Sequence, residues 1–502
     1  MNMSELPIIK RAMGHRNSIA FKNESSEQTY QHLLDRSEQL AAQLLKNASD
    51  LNSATVAMFV PADSDFLCVQ WAIWRAGGIM LPLCLSATQP EWEYSLSDSN
   101  TNIVITTQEL KHEISDLCNK LNVRLLVIES HHAQKEIVLP TIKSTRPAMI
   151  LYTSGTTNKP KGVLTTHANI EAQIESLVEA WKWQASDRIP LFLPLHHIHG
   201  IINVLCCAMW SGALVEPFAR FDIHAITNRV RQDAYTIFMA VPTIYVKLIQ
   251  MLESTEKDRR DPIITGFKNM RLMVSGSAAL PATVHNTWFN LTGQKLLERY
   301  GMTEIGMALS NPYDGERRPG SVGKPLPGVN IRLKSDSRKF IEVENEPGEI
   351  QISGPGVFKE YWNRPQITSE SFDEEIWFRT GDMAVIEHGY YRIMGRLSTD
   401  IIKSGGYKLS ALEIESTLLQ HPHISECAVV GIEDETWGEA VAVAVILREG
   451  TTLRLEEFRE WSRARLSVYK IPKHLVTVAA LPKNAMGKVV KKEVSSLFKQ
   501  SK

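Results

Sequence analysis

Short apolar runs alternate with helical stretches over residues 54–130. Strands are predicted at residues 55–60, 78–82, 102–105 and 125–128, and helices at 65–76 and around 91–96. Strands that are apolar almost throughout and are separated by helices are typical of a parallel sheet covered on both faces. The first part of the chain is therefore predicted to form a doubly wound α/β sheet.

The same rhythm resumes further along the chain and predicts a second doubly wound sheet. Its strands are expected at residues 191–195, 214–215, 236–240 and 272–274. Helices are expected at residues 201–209, 222–232, 242–252 and 282–291. Together the two sheets would make one large α/β N-terminal portion.

Proline and glycine become dense from Pro319 onward, and short strand-like runs follow at residues 329–333 and 348–353. This pattern indicates a compact antiparallel β unit attached to the sheets. The last hundred or so residues predict a small α+β domain, with strands at 391–394, 428–432, 441–447 and 475–478 and a helix at 455–466. Ser410 with Glu413 forms a capping-box start for another helix. We expect an N-terminal domain over residues 1–395 and a C-terminal domain over residues 396–502.

Charge and cysteine usage narrow the functional classes. The 502 residues carry a net charge of −1, which offers no electrostatic case for binding nucleic acid or an anionic membrane. Six cysteines are scattered without C-x-x-C spacing, as expected of a reduced intracellular protein. Residues 1–16 lack an apolar signal core, and residues 189–215 are interrupted by prolines and glycines. We therefore expect a cytoplasmic protein without integral membrane association.

The first candidate site is the loop over residues 153–162, Thr-Ser-Gly-Thr-Thr-Asn-Lys-Pro-Lys-Gly, which follows an apolar strand. Freed backbone N–H groups, hydroxyls and ammonium groups can converge there on a polyanion. The loop is not a Walker A motif, because Val163 follows Gly162 where that motif needs lysine. An ordinary polar surface loop is the alternative, but so many hydroxyls, glycines and lysines favour a phosphate cradle.

Two clusters could complete a nucleotide site. Within residues 298–304, Tyr300 could stack on a nucleobase, while Thr303 and Glu304 could hold Mg²⁺ or phosphate. A buried strand end with a surface salt bridge explains these residues equally well. Asp382 ends the run 377–382 and suits ribose hydroxyls, which need acceptors, although a lone aspartate there is more often a turn residue.

Three further clusters are ambiguous by themselves. Gly405-Gly406 permits close backbone approach to a ligand, or simply a turn. Lys488 could enter an active site or belong to a solvated basic tail. The run His196-His197-Ile198-His199 lacks the spacing of a zinc motif, so one histidine near a substrate is the better interpretation.

In this order, the motifs resemble the adenylate-forming superfamily of acyl-CoA synthetases, peptide-synthetase adenylation domains and luciferases. The resemblance covers almost the whole chain and rests on residues 153–162, 300–304, 380–382, 395–396 and 487–488. It implies that a carboxylate attacks the α-phosphorus of MgATP to give an acyl-adenylate, from which a thiol, usually coenzyme A, then displaces AMP. ATP, Mg²⁺, coenzyme A and a small carboxylic acid are thus the implied ligands.

The resemblance also implies roles for individual residues. The ATP phosphates would be held by Thr153, Ser154, Gly155, Thr156, Thr157 and Lys161. Adenine would lie against Gly276, Ser277, Tyr300 and Gly301, ribose against Asp382 and Arg396, and Mg²⁺ against Glu304. Lys488 would be the catalytic lysine, with Thr303 and Glu304, and coenzyme A would pass Gly405, Gly406 and Tyr407. Ser398 takes the hinge position, where Asp or Lys is commoner, and Asn158 replaces a usual loop glycine.

The segments at residues 193–200, 298–304, 310–317 and 405–413 look like those of malonyl-CoA synthetases. Malonate keeps a second carboxylate that costs several kcal/mol if it is buried without a partner. Arg299 is the expected partner, with His197 or His199 as further donors. Arg299 could instead pair with a protein carboxylate. A medium- or long-chain fatty acid ligase, a noncatalytic nucleotide-binding protein and an adenylation module for a carrier protein stay open, as does the oligomeric state.

Overall fold

The computed structural model describes residues 6–23, 26–128, 138–153, 159–335, 339–341, 343–404, 407–483 and 489–498. Its first helices are α1 (Pro7–Gly14), α2 (Tyr30–Leu45), α3 (Ser64–Arg75), α4 (Gln89–Asp98) and α5 (Lys111–Leu121). The first strands are β1 (Ile19–Lys22), β2 (Glu27–Thr29), β3 (Thr55–Phe59), β4 (Ile79–Pro82), β5 (Ile103–Thr106), β6 (Arg124–Val127), β7 (Pro147–Thr153) and β8 (Lys161–Thr166). The order β8-β7-β4-β3-β5-β6 is parallel from β7 to β6, as the alternating pattern predicts. Only the hairpin β7–β8 is antiparallel within this order, and it carries the candidate phosphate loop.

The second sheet region follows. Its helices are α6 (His167–Ala180), a π-helix (His199–Cys206), α7 (Cys207–Ser211), α8 (Ile223–Val230), α9 (Pro242–Ser254), α10 (Lys257–Asn269) and α11 (Ala282–Thr292). Its strands are β9 (Arg188–Leu191), β10 (Leu214–Pro217), β11 (Ile237–Ala240), β12 (Leu272–Ser275), β13 (Leu297–Met302), β14 (Gly306–Ser310) and β15 (Lys324–Pro325). Strands run β2-β1-β10-β9 and β11-β12-β13-β14-β15. The two groups adjoin, because the Thr236 amide donates to the Arg188 carbonyl at 2.9 Å.

Two elements in this region differ from the predictions made from the sequence. The strand expected at residues 191–195 ends at Leu191, and residues 192–198 form a connection that contains Pro194. The helix expected at residues 201–209 begins as a π-helix at His199 and becomes α-helical at Cys207. π-Helical turns recur at functional sites, and this one starts at a candidate substrate residue.

The predicted antiparallel unit is present. It contains β16 (Asn330–Lys334), β17 (Gly348–Ser353), β18 (Glu360–Tyr361), α12 (Pro365–Glu370), β19 (Phe378–Glu387) and β20 (Tyr390–Arg396). The sheet of this unit has the strand order β16-β17-β19-β20. Strand β18 is not part of that sheet and pairs with β8 of the first sheet. Strand β18 thereby brings the antiparallel unit beside the candidate phosphate loop.

The C-terminal portion is α+β, as expected. Its elements are β21 (Ile401–Ser404), β22 (Tyr407–Ser410), α13 (Ala411–Leu418), β23 (Ile424–Asp434), β24 (Gly438–Leu447), α14 (Leu455–Arg463), a 3₁₀ turn (Val468–Lys470), β25 (His474–Thr477) and α15 (Lys491–Leu497). The Ser410 hydroxyl accepts the Glu413 amide at 3.1 Å, so the predicted N-cap of α13 is confirmed. The boundary between residues 395 and 396 stays a prediction, and β20 itself runs to Arg396.

The apolar surfaces form cores on both faces of the large sheets. Most of residues 189–215 are buried as strand, connection and helix, which accounts for their low charge. None of the helices in the described ranges is long and apolar enough to cross a bilayer. All six cysteines are unpaired, and four of them are buried.

Candidate active site

The ends of the phosphate loop lie on paired strands. Thr153 ends β7, Lys161 begins β8, and the two residues pair in register. The Lys161 ammonium lies 5.1 Å from the centre of the Tyr361 ring. The Tyr361 hydroxyl donates to Oε1 of Glu304 at 2.9 Å. The structure therefore places one phosphate-loop lysine and the expected Mg²⁺ ligand on the same tyrosine. Ser154, Gly155, Thr156 and Thr157 lie outside the described residues.

Asp98 ties the start of this loop to the antiparallel unit. Its Oδ2 accepts the Tyr152 hydroxyl at 2.8 Å, and its Oδ1 accepts Nη2 of Arg364 at 2.6 Å. The other end of the loop is also held, because the Tyr94 hydroxyl donates to the Pro160 carbonyl at 2.8 Å. Local spacing in the sequence does not reveal these four side chains, because the residues that they join lie up to 266 positions apart.

Glu304 provides a single buried carboxylate. Burial raises its pKa, while the hydrogen bond from Tyr361 and the charges of Arg396 and Lys161 act in the opposite direction. Thr303, beside it, is half-buried. Mg²⁺ in nucleotide enzymes is held by one or two carboxylates together with substrate phosphates. One buried carboxylate near two cations fits that arrangement, in which the ion enters with the nucleotide.

Tyr300, Asp382 and Arg396 form a connected set. The Tyr300 hydroxyl donates to Oδ2 of Asp382 at 2.6 Å, and Nε of Arg396 lies 3.2 Å from Oδ1 of the same carboxylate. Asp382 and Arg396 are register partners on β19 and β20, so the sheet itself sets their separation. Burial raises the pKa of Tyr300, which keeps its hydroxyl a donor at neutral pH. Three of the six residues predicted for adenine and ribose thus meet at one place.

Arg299 lies next to Tyr300 on strand β13 and is 96 % buried. Its Nη2 donates to the Ser277 hydroxyl at 3.3 Å, whereas its Nε has no hydrogen-bond partner among the described residues. Burial lowers the pKa of Arg299 to about 10, so the guanidinium stays charged at neutral pH. Gly276 packs on this guanidinium so closely that a Cβ there would collide with it.

The alternative in which Arg299 pairs with a carboxylate does not match this geometry. In the described ranges no Asp or Glu forms an ion pair with Arg299, and the adjacent Glu298 accepts the Leu280 amide at 2.9 Å instead. A buried guanidinium without a counter-charge is costly unless an anion binds there. The arrangement is therefore suited to a ligand carboxylate.

His199 reaches the same point from the π-helix. Its Nδ1 lies 3.1 Å from the Ser277 hydroxyl, and its Nε2 is buried without a described partner. Burial lowers the pKa of His199 well below the ordinary value, so the ring is neutral near pH 7. His197 instead packs its ring against His196 at 4.3 Å, and burial lowers its pKa to about 4. Ser277, exposed and with φ of +68°, joins Arg299 to His199.

Two of the remaining predicted residues, Ser398 and Tyr407, are described near and on the small domain. Ser398 is exposed in the turn between β20 and β21, and that turn is closed by Oδ2 of Asp400, which accepts the Arg396 amide at 3.0 Å. Tyr407 is 55 % exposed and stacks on Tyr469 with ring centres 4.5 Å apart. Gly405, Gly406 and Lys488 lie outside the described residues. Gly301 packs against Gly306 beside Tyr300.

A large α/β domain, a small α+β domain and this set of residues are those of an AMP-forming acid–thiol ligase, an enzyme that uses ATP and coenzyme A. The chain belongs to the AMP-binding enzyme family. Residues 9–362 match the family model for the AMP-binding enzyme, and residues 413–488 match that for the AMP-binding enzyme C-terminal domain.

Individual relatives agree over nearly the full length. The mitochondrial malonate–CoA ligase of Xenopus laevis is 42% identical over 97% of this chain and 91% of its own. ATP-bound MatB from Rhodopseudomonas palustris is 30% identical, covers 99% of both chains and superposes with a TM-score of 0.88. A malonyl-CoA ligase product complex with methylmalonyl-CoA and AMP is 31% identical over 95% of this chain and 100% of that chain, with a TM-score of 0.70.

Proposed function

We propose that this protein is an ATP-dependent malonate–CoA ligase that also accepts methylmalonate. The observation that carries the proposal is the buried Arg299 guanidinium, which has a free Nε and no carboxylate partner in the described ranges. A monocarboxylic fatty acid has no second charge to place against it. Relatives named as malonate–CoA ligases support the same substrate.

In the first step one malonate oxygen attacks the α-phosphorus of ATP, and the bond from that phosphorus to the pyrophosphate oxygen breaks. Two anions must approach each other, so cations have to screen them and hold the in-line geometry. We assign Thr153, Lys161 and the loop between them to the phosphates, and Lys488 to the bridge between the acid and ATP. Glu304, with Thr303, would hold Mg²⁺, which when bound screens the phosphate charge.

The nucleoside half of ATP is assigned to the connected tyrosine set. Tyr300 offers its ring to adenine, while Asp382 and Arg396 lie where ribose hydroxyls need an acceptor and a donor. Gly276 and Gly301 lie beside these groups where a Cβ would collide with Arg299 and with the Gly306 carbonyl, respectively. The sequence-based expectation placed Ser277 against adenine. We instead assign Ser277 to the acid pocket, because its hydroxyl contacts Arg299 and His199.

The distal carboxylate of malonate is assigned to Arg299, Ser277 and His199. A guanidinium paired with a carboxylate forms the strongest class of hydrogen bond in proteins. The neutral His199 ring can donate one hydrogen bond without adding charge. His197 is assigned to the wall of the same pocket, two residues before the start of the π-helix.

In the second step the thiol sulfur of coenzyme A attacks the acyl carbon, the bond to AMP breaks, and the thiol proton goes to solvent. Lys488 must leave first, so we assign a rotation of the small domain to the turn containing Ser398. Gly405, Gly406 and Tyr407 are assigned to the path of coenzyme A.

The test is pyrophosphate release and thioester formation with malonate, methylmalonate, succinate, acetate and octanoate, each with and without coenzyme A. Malonate should give the highest kcat/KM, with release of malonyl-CoA, AMP and pyrophosphate. Preference for octanoate would identify a fatty acid ligase and overturn the proposal. Absence of carboxylate-dependent ATP–pyrophosphate exchange would indicate a noncatalytic nucleotide-binding protein. Turnover with a carrier protein but not with free coenzyme A would identify an adenylation module.

We propose a cytoplasmic location on the sequence features alone. Four vertebrate relatives are named as mitochondrial proteins, so the mitochondrion is the alternative location to test. Fractionation of cells that express the tagged chain decides it, with recovery in a mitochondrial fraction contradicting the proposal.

A further inference from the structure

Glu298 is a buried acid that no step of the proposed reaction uses. It is 96 % buried on β13, directly before Arg299. Successive residues of a strand point to opposite faces, so the two side chains cannot serve the same face of the sheet. In the described ranges Oε2 of Glu298 has no partner, and Oε1 accepts the Leu280 amide. A buried carboxyl with so few contacts needs an explanation.

The Leu280 amide closes the loop over residues 276–281, which connects β12 to α11. Ser277, Ala278 and Ala279 are exposed at the tip of this loop, whereas Leu280 is buried at its base. Ser277 also adopts φ of +68°, a backbone conformation that is uncommon for a residue with a side chain. Such a conformation persists only where surrounding contacts hold it. The bond from Leu280 to Glu298 is one such contact, three residues away.

The same loop presents two groups to the proposed acid pocket. The Ser277 hydroxyl touches both Arg299 and His199, and Gly276 packs on the Arg299 guanidinium. A shift of the loop would therefore move the hydroxyl and release the guanidinium together. Strand β13 is anchored at the same residue, because the Glu298 carbonyl accepts the amide and the Nδ2 of Asn311 at 3.0 and 3.1 Å.

We infer that Glu298 is a positioning residue for substrate specificity, which holds the loop 276–281 so that Ser277 and Arg299 face the distal carboxylate of the acid. This inference rests on the proposed function. Glu298 acts from the opposite face of β13 and does not touch the substrate itself. Its carboxyl is needed as a hydrogen-bond acceptor and not as a charge, since burial raises the pKa of Glu298 to about 8.

The test compares two variants of matched length. Glu298→Gln keeps an oxygen acceptor for Leu280, and Glu298→Met removes it at similar volume. We expect Glu298→Met to raise the KM for malonate about tenfold, as the loss of one hydrogen bond of ~1.4 kcal/mol would do, with the KM for ATP within twofold. Glu298→Gln should restore the malonate KM to within twofold of the wild type. Equal malonate KM values for both variants would overturn the inference. So would an equal rise in the KM for malonate and the KM for ATP.

A control separates positioning from general loss of stability. Glu216 is equally buried but accepts from Arg229 and Tyr235 away from this loop, so Glu216→Gln should lower Tm without changing the malonate KM. A double-mutant cycle with Ser277→Ala should be strongly non-additive, because Glu298 acts through that loop. Full additivity would contradict the inference.

Two outcomes keep the hypotheses distinct. If the wild type does not turn over malonate, the proposed function fails first, and the variants are then assayed with the acid it does use. If Glu298→Met does not fold, hydrogen exchange on the wild type decides: the Leu280 amide should exchange at least a hundredfold more slowly than those of Ala278 and Ala279. Equally fast exchange at all three amides would overturn the inference.

Discussion

The Tyr300 hydroxyl donates a 2.6 Å hydrogen bond to Oδ2 of Asp382, a residue 82 positions further along the chain. This bond joins β13 of the second sheet region to β19 of the antiparallel unit. It fixes the Tyr300 ring and the Asp382 carboxylate relative to each other. Arg396 completes the set from the end of β20.

Removal of that hydroxyl should weaken ATP binding. Tyr300→Phe keeps the ring for adenine but frees Asp382, so we expect the KM for ATP to rise about three- to tenfold, which corresponds to ~1 kcal/mol. The malonate KM should stay within twofold. Initial rates at varied ATP provide the measurement. Tyr245→Phe is the control, since that hydroxyl bonds only the Val274 carbonyl in the described ranges; a similar ATP effect there would argue against the assignment.

Arg299→Ala should abolish the preference for malonate. If the guanidinium faces the distal carboxylate in a buried site, the change removes roughly 3–5 kcal/mol of binding or transition-state stabilisation. The malonate kcat/KM should fall by at least a hundredfold while ATP binding is kept. Octanoate provides the internal control, because an apolar tail gains from the change. Unchanged malonate kinetics would rule out this role for Arg299.

Asp98→Ala should disturb the phosphate loop from outside the site. The change removes the acceptor for Tyr152 and Arg364, so the KM for ATP and for pyrophosphate in the exchange reaction should rise about tenfold, which corresponds to ~1.4 kcal/mol. Glu93→Ala on the same helix removes only an exposed ion pair with Lys120 and is the matched control. Equal effects of the two changes would show that α4, and not Asp98, matters.

Lys488→Ala should separate the two half-reactions. Carboxylate-dependent ATP–pyrophosphate exchange should fall at least a hundredfold, since the bridging charge is lost. Conversion of preformed malonyl-adenylate with coenzyme A should persist within threefold. Lys492→Ala, an exposed lysine on α15, should change neither rate. Loss of the second half-reaction as well would contradict a role confined to adenylate formation.

The pH dependence of unfolding should report Glu298. Its pKa is about 8 in the folded protein and near 4.5 when exposed, so the folded state holds one more proton between these values. The stability contribution of this group is present below pH 4.5 and is lost as the pH rises towards 8, by up to ~1.4 kcal/mol per pH unit. Glu298→Gln removes the titration, so its stability relative to the wild type should rise from pH 5 to pH 8 in urea unfolding. A constant difference would show that the carboxyl does not take up a proton on folding.

The two sheets could be predicted from the local pattern of apolar residues. Apolar strands separated by helices form parallel sheets whose two faces are both covered. The predicted helix at residues 201–209 shows the limit of that argument. Periodicity does not distinguish an α-helix from the π-helical turn at His199, which is completely buried among core residues and whose form is set by packing.

The class of enzyme follows from the sequence alone, since short ordered motifs such as residues 300–304 and 380–382 carry the groups that ATP chemistry needs. Which of those groups meet depends on the folded chain. Strand pairing between distant segments brings Tyr361 to Lys161 and Glu304, and Asp98 to Tyr152 and Arg364. It also leaves Arg299 without a carboxylate beside it in the described ranges. Sequence spacing does not encode such contacts locally, because the sheet topology brings together residues that are tens to hundreds of positions apart.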